Sequence, residues 1–281
     1  MKIITINTHS LEEPDYERKL HEFAGVILTE QPDVFAMQEV NQSVNAEPAY
    51  EAELAGYTRC GDFSGPVRRD NHGARLAALL AREGVCYHWA WVPAKLGYGK
   101  YDEGLAIFSR RPVIQVDSFR ISRSEDYKNW KTRRILGIQT ADGWFYTAHM
   151  GWWDDEEEPF REQWERLGEH LEDKKNQPVW LMGDFNSIDI ISGEGYDLVS
   201  GSGWKDTYCL AQEKDQGITV GKVIDGWRER LSEEKLSQCP DGMRIDYIWC
   251  SRKLPVCSSH VICNGERYPV VSDHYGVMIV V

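Results

Sequence analysis

Apolar residues recur along the chain with two spacings, and each spacing predicts a kind of element. Residues 2–6 (KIITI) read as a strand that ends at Asn7. Leu20, Phe23, Ala24, Ile27 and Leu28 fall at i, i+3, i+4, i+7 and i+8, one face of a helix that Pro32 stops. Val34–Met37 predicts a short strand, with Glu39 just past its end. Residues 74–82 predict a second helix, and the stretch from Ala46 to Lys100 is expected to be rich in loops that shape specificity. Strands are predicted at Gly104–Ser109, Ile135–Gln139 and Trp144–Ala148, with His149 directly after the last. Phe160, Trp164, Leu167 and Leu171 share one face of a helix over residues 160–172. Val179–Met182 predicts a strand running into Gly183-Asp184-Phe185-Asn186. Arg244–Cys250 and Gly276–Val281 predict the last strands, with Asp273-His274 just before the final one. Alternating strands and helices favour an α/β architecture. With no internal repeat, low-complexity tract or linker, residues 1–281 are expected to form one domain.

Composition changes this picture little. The apolar share is 42 % and the charged share 27 %, ordinary for a globular protein. The 11 Trp residues read mainly as packing residues. Charge matters more. A formal net charge of −13 opposes long stretches of nucleic-acid contact and adsorption to an anionic membrane. No apolar run reaches the roughly 18 residues of a membrane span, so no integral membrane contact is expected. The seven Cys form no C-x-x-C pair, which fits reduced thiols in a cytoplasmic protein. The acidic run Asp154–Glu158 reads as a solvated loop before a helix.

The chemistry lies at strand ends. Asn7, Glu39, His149, Asp184, Asn186 and Asp273-His274 stand at or just beyond apolar strands, and Asp246 lies within one. Strand ends are where an α/β sheet presents ligand-binding groups. Carboxylate and carbonyl oxygens suit a hard ion such as Mg²⁺ or Mn²⁺, imidazoles suit proton transfer, and carboxamides can donate to a phosphoryl oxygen. Each residue alone reads equally well as a turn former or a local hydrogen bond. Their combination and order carry the signal.

Seven motifs run in order: Ile6-Asn7-Thr8, Met37–Val40 (MQEV), Glu103–Arg110 (EGLAIFSR), Thr147-Ala148-His149, Gly183–Ser187 (GDFNS), Arg244–Trp249 (RIDYIW) and Ser272–Val277 (SDHYGV). In these the chain resembles the endonuclease/exonuclease/phosphatase superfamily, which includes pancreatic-type deoxyribonuclease, repair nucleases, sphingomyelinases and inositol-polyphosphate phosphatases. The segments INTHS and QEVNQ look most like its RgfB-like bacterial branch. The resemblance implies a four-layer α/β/β/α sandwich of two mixed sheets flanked by helices. It implies a metal shell of Glu39 supported by Asn7 and Asp273. It implies that Asp246 orients His274, which acts as a neutral general base or stabilises the phosphorane. Asp184 orients or deprotonates the attacking water, Asn186 holds a phosphoryl oxygen, and His149 binds a phosphoryl oxygen or protonates the leaving group. His9 stands where several repair nucleases carry Asp, so one Mg²⁺ or Mn²⁺ ion is expected rather than two.

Within Lys131-Thr132-Arg133-Arg134, an exposed basic cluster and a phosphate contact are equal readings, and Arg134 is taken as the phosphate ligand. Tyr101 and Glu103 are weaker candidates for approach to the site. The expected activity is metal-dependent hydrolysis of a phosphate ester, with a small or lipid-like substrate favoured by the acidic charge. Two alternatives stand beside it. One is a nuclease on DNA or RNA, for which Lys95, Lys100, Arg110, Arg111, Lys128, Lys131, Arg133 and Arg134 would have to converge. The other is an inactive relative that binds a phosphorylated ligand.

Overall fold

The computed structural model describes residues 1–281 except 62, 175, 222–223, 225–226 and 228–229. The chain opens with β1 (Lys2–Asn7), α1 (Tyr16–Glu30), β2 (Val34–Ser43), α2 (His72–Arg82), β3 (His88–Gly97) and β4 (Tyr101–Ser109). It continues through β5 (Gln115–Arg120), β6 (Arg134–Thr140), β7 (Gly143–His149), α3 (Phe160–Leu171) and β8 (Val179–Asp184). Short elements follow: α4 (Gly195–Gly201), β9 (Lys205–Asp206), α5 (Thr207–Leu210), β10 (Ala211–Lys214) and α6 (Glu233–Gln238). The last strands are β11 (Asp246–Cys250), β12 (Val256–Ile262) and β13 (Gly276–Val280).

The strands form two mixed sheets, ordered β10-β12-β13-β1-β2-β4-β3 and β5-β6-β7-β8-β11-β9. Alternation along each strand explains the layers. In β1, Ile4 and Ile6 face outward and meet Leu20, Phe23 and Ile27 of α1 and Leu76 and Leu80 of α2. Ile3 faces the other way. With Ala36, Val92 and Ile107 it meets Leu136, Phe145, Trp180 and Met182 of the second sheet. On the far side of that sheet, Tyr146 and Leu181 pack on Phe160, Trp164, Leu167 and Leu171 of α3. Three apolar interfaces between four layers make the α/β/β/α sandwich, and each fully buried aliphatic or Phe side chain contributes about 1.5–3 kcal/mol. Seven Trp are buried in these cores, which agrees with their expected packing role.

The helix ends follow the local chemistry. The Asn71 side chain accepts the Ala74 N–H at 3.0 Å and starts α2. Gln31 adopts the left-handed conformation just before Pro32 and closes α1. Among the described residues no helix is long and apolar enough to cross a membrane.

Three expectations differ from the structure. The stretch from Ala46 to Lys100 contains β3, a ten-residue strand, besides α2 and loops. β3 contains Pro93, and it lies at a sheet edge with a bulge between Pro93 and Lys95, the two settings that tolerate proline. Glu39 lies inside β2 rather than past its end. The pairing of β2 with β4 shifts between Met37 and Val40, and Glu39 itself has a φ of 52°. The acidic run is only partly solvated. Asp155 is buried and accepts from Lys131 Nζ at 3.0 Å, and Glu158 is buried and accepts the backbone N–H groups of Arg123 and Ser124 at 2.7 and 2.6 Å. These two carboxylates clamp the 122–133 loop against the 150–158 loop.

Candidate active site

Strand register sets the site. β7 and β8 run parallel with His149 opposite Asp184, and β8 and β11 run antiparallel with Asp184 opposite Asp246. Three polar side chains therefore stand in a row across the second sheet. In the first sheet Asn7 ends β1 opposite Gln38, and the bulge in β2 sends Glu39 toward the same edge. Gln38 ties the sheets together, donating to Thr5 Oγ1 at 3.1 Å and Thr147 Oγ1 at 2.8 Å. Asp273 and His274 enter on the turn before β13.

The contacts are specific. Asn7 Nδ2 donates to Glu39 Oε1 at 2.9 Å and to Asp184 Oδ2 at 3.2 Å, so it crosses from one sheet to the other. His274 Nδ1 lies 2.9 Å from Asp246 Oδ2, and its Nε2 lies 3.8 Å from Asp184 Oδ2. His149 Nε2 lies 3.5 Å from Asp184 Oδ2, and its Nδ1 lies 4.0 Å from Glu39 Oε1. Asn186 has a φ of 45°. Its Nδ2 donates to the Met150 carbonyl at 3.0 Å, and its Oδ1 accepts from Trp227 Nε1 at 3.1 Å. Glu39 and Asn186 are thus both non-glycine residues in the left-handed region. Such positions cost on the order of 1–3 kcal/mol each and cluster at functional sites.

These groups line a cleft of about 270 Å³. Its other walls include Lys95, Gly97, Tyr98, Glu103, Trp130, Arg133 and Trp152. Asn7 and Asp246 stand one layer behind, buried against the groups they orient.

Burial and repulsion from Glu103 raise the Glu39 carboxyl above its ordinary pKa. Burial and the nearby Asp246 raise Asp184 to about 7. Burial opposes charge on His274, but Asp246 and Asp184 outweigh it and hold its pKa at about 10. Of the two expected roles of His274, the general base needs a neutral ring. Between two carboxylates the protonated ring is favoured instead. His149 goes the other way: burial, Arg133 and Lys95 push it well below the usual histidine value.

The donor set suits a hard divalent cation. Four carboxylates line the cleft (Glu39, Glu103, Asp184, Asp273) against two fixed cations, Lys95 and Arg133. The carboxylate oxygens are the hard donors that Mg²⁺ or Mn²⁺ takes. A buried oxygen of Asp246, Oδ1, also has no hydrogen-bond partner. By distance, two groups of side chains among the described residues could hold an ion: Asp184, Asp246 and His274, and His9, Glu13 and Asp273. In the first, His274 Nδ1 is already bonded to Asp246. In the second, Glu13 is already bridged to His9 and Lys19.

The expected site residues meet here except Arg134 and the weaker candidate Tyr101, whose hydroxyl donates to the Leu11 carbonyl at 3.4 Å. Arg134 begins β6 and lines a separate groove with Arg68, Asp102 and Tyr127. The neighbouring Arg133 lines the cleft instead. Successive side chains of an extended chain point to opposite sides, so only one of two adjacent arginines can enter. Lys95, one of the scattered basic residues of the sequence, also lines the cleft, as do Trp130 and Trp152, which carried no recognisable signal. Glu103, a weak candidate in the sequence, sits beside Lys95 with its Oε1 2.9 Å from Nζ.

The sequence matches the model of the Endonuclease/Exonuclease/phosphatase family over residues 4–274. The chain belongs to this family. Members of the endonuclease/exonuclease/phosphatase family are hydrolases acting on phosphate esters. No curated protein matches the chain in sequence. Among solved structures, an endonuclease/exonuclease/phosphatase family protein from Leptotrichia buccalis superposes with a TM-score of 0.83 at 29 % identity, covering 100 % of this chain and 98 % of that one. A mannosyl-6-phosphatase from Bacteroides thetaiotaomicron gives 0.61 at 18 % identity, covering 100 % and 98 %. A 3'-5' exonuclease from Neisseria meningitidis gives 0.62 at 18 % identity, covering 100 % and 99 %. The last two share the fold.

Proposed function

We propose that residues 1–281 form one catalytic domain, a divalent-metal-dependent phosphoesterase acting on a small phosphate ester. The observation that carries this is the Asp246–His274 pair at 2.9 Å, set against Asp184, with Glu39, His149 and Asn186 around the same cleft. Glu39, with Asn7 and Asp273 beside it, would hold one Mg²⁺ or Mn²⁺. Such an ion supplies charge neutralisation at the phosphoryl group.

The chain's own groups do the rest. Asp246 fixes the ring of His274 through Nδ1 and turns Nε2 toward Asp184. Asp184 orients the attacking water and accepts its proton. His274 stabilises the negative charge that builds up on phosphorus-bound oxygen. Asn186, its carbonyl already taken by Trp227, has an N–H left for a phosphoryl oxygen. His149 binds a second such oxygen from the opposite wall.

A small substrate is favoured over nucleic acid because several of the basic side chains that might form a binding strip are already engaged. Lys95 pairs with Glu103, Lys100 with Glu12, Arg111 with Asp142, and Lys131 with Asp155 and Glu157. The test compares wild type with His274→Ala on p-nitrophenyl phosphate, bis-p-nitrophenyl phosphate and plasmid DNA, with Mn²⁺ or with EDTA. Turnover of a chromogenic ester that EDTA abolishes and the variant lowers by about 1,000-fold or more is expected. Undiminished turnover in His274→Ala would refute the assignment, and a marked preference for plasmid would favour the nuclease.

A further inference from the structure

Arg133 is 3 % exposed in the wall of the cleft, and no acidic partner is seated on it among the described residues. Its Nη1 donates to the carbonyls of Trp130 at 3.0 Å and Thr132 at 3.4 Å. Its Nε is buried with no hydrogen-bond partner. The Trp152 ring lies 5.7 Å from the guanidinium carbon and offers a cation–π contact. Neighbouring cations are satisfied differently. Lys95 has Glu103, and Lys131 and Arg230 share Asp155. Burying a guanidinium without a counter-charge costs several kcal/mol, so a fold retains one where an anion arrives to offset it. The carboxylates of Glu103, Asp184 and Glu39 act on Arg133 only from a distance.

We propose that Arg133 receives a terminal oxygen of a dianionic phosphoryl group, and so makes the site select phosphomonoesters over diesters. This rests on the reading of the cleft as a phosphoesterase site. A monoester offers three terminal oxygens and close to two negative charges. A diester offers two oxygens and one charge. Asn186 and His149 stand ready for the two oxygens common to both. Arg133 comes from a third direction, the loop between β5 and β6, and supplies a full positive charge where the second negative charge of a monoester falls. Arginine suits this place because two backbone carbonyls can hold one edge of the planar fork while the rest stays available. The Asp155 and Glu158 clamps fix the loop that carries it.

The test reads binding as well as turnover. Mg²⁺-loaded protein is titrated calorimetrically at about pH 8, where inorganic phosphate is mainly dianionic, against inorganic phosphate and against dimethyl phosphate. Wild type should bind inorganic phosphate at least about ten-fold more tightly, as one charge-assisted contact provides. Equal affinities would overturn the proposal. In Arg133→Gln that preference should collapse to under about three-fold, and Arg133→Lys should keep part of it. The ratio of kcat/KM for p-nitrophenyl phosphate over bis-p-nitrophenyl phosphate should fall in step. An unchanged preference in a variant that melts like wild type would also overturn it. If Arg133→Gln does not fold, the wild-type preference and Arg133→Lys decide. Failure of wild type to hydrolyse either ester would sink the phosphoesterase reading, while the titration would still decide on Arg133.

Discussion

At the scale of single residues, two histidines show how surroundings set protonation. His274 is gripped by Asp246, whose second oxygen is buried without a partner. Asp246→Asn should keep the shape of the site but remove the charge that holds the ring. We expect kcat to fall about 100-fold or more with KM changed less than about three-fold. Steady-state kinetics on a chromogenic ester checks this, and a purely KM effect would contradict the orienting role. His72 lies outside the site, at the start of α2. Its Nδ1 meets the Tyr16 hydroxyl at 3.1 Å, and its Nε2 is buried without a partner. Burial and Arg75 depress its pKa to about 3 from the ordinary 6.5. A positive charge there would also oppose the dipole at the helix N-terminus. The folded chain therefore refuses a proton that the unfolded chain accepts below pH 6.5. Stability from this group is complete above 6.5 and should fall by about 1.4 kcal/mol per pH unit as pH drops toward 3. Urea unfolding at several pH values should show a slope about one proton steeper in wild type than in His72→Gln. Parallel slopes would disprove the assignment.

At the scale of elements, the strand ends were legible and their surroundings much less so. Asn7, His149 and Asp184 are the last residues of β1, β7 and β8, as the apolar runs before them indicated. Glu39 was recognised as important, but its place inside a bulged strand was not, because a bulge leaves no periodic signal. β3 carries Pro93 inside its run, a residue that a strand tolerates only at an edge or a bulge, and neither setting is visible in the sequence. The choice between Arg133 and Arg134 needed the point where the loop enters β6. One glycine shows what the GDFNS motif demands. Gly183 has a φ of 135°, and a Cβ there would lie 2.1 Å from the Ala148 carbonyl oxygen of the neighbouring strand. Gly183→Ala should force β7 and β8 apart just where His149 and Asp184 meet. A loss of about 2–4 kcal/mol is expected, with activity falling further than stability alone explains. Thermal melting together with kcat would show this, and a wild-type melting temperature would refute it.

At the scale of the whole molecule, charge and topology dominate. The net charge of −13 and the pairing of several of the scattered basic residues oppose the holding of a polyanion. Mobility-shift measurements at low salt should show no binding of a plain DNA duplex at about 10 μM protein. Tight binding with a steep salt slope would reopen the nuclease alternative. Topology has a different reach. β1 lies between β2 and β13, so one side of the first strand is completed only by the last. A ribosome adding about 5–20 residues per second needs roughly 15–55 s between these two strands. Through that interval the nascent chain carries an unpaired strand edge beside apolar surface, the combination that invites intermolecular pairing. His274 emerges at the very end of the wait, so synthesis leaves no stage at which a partly made chain already holds a working site.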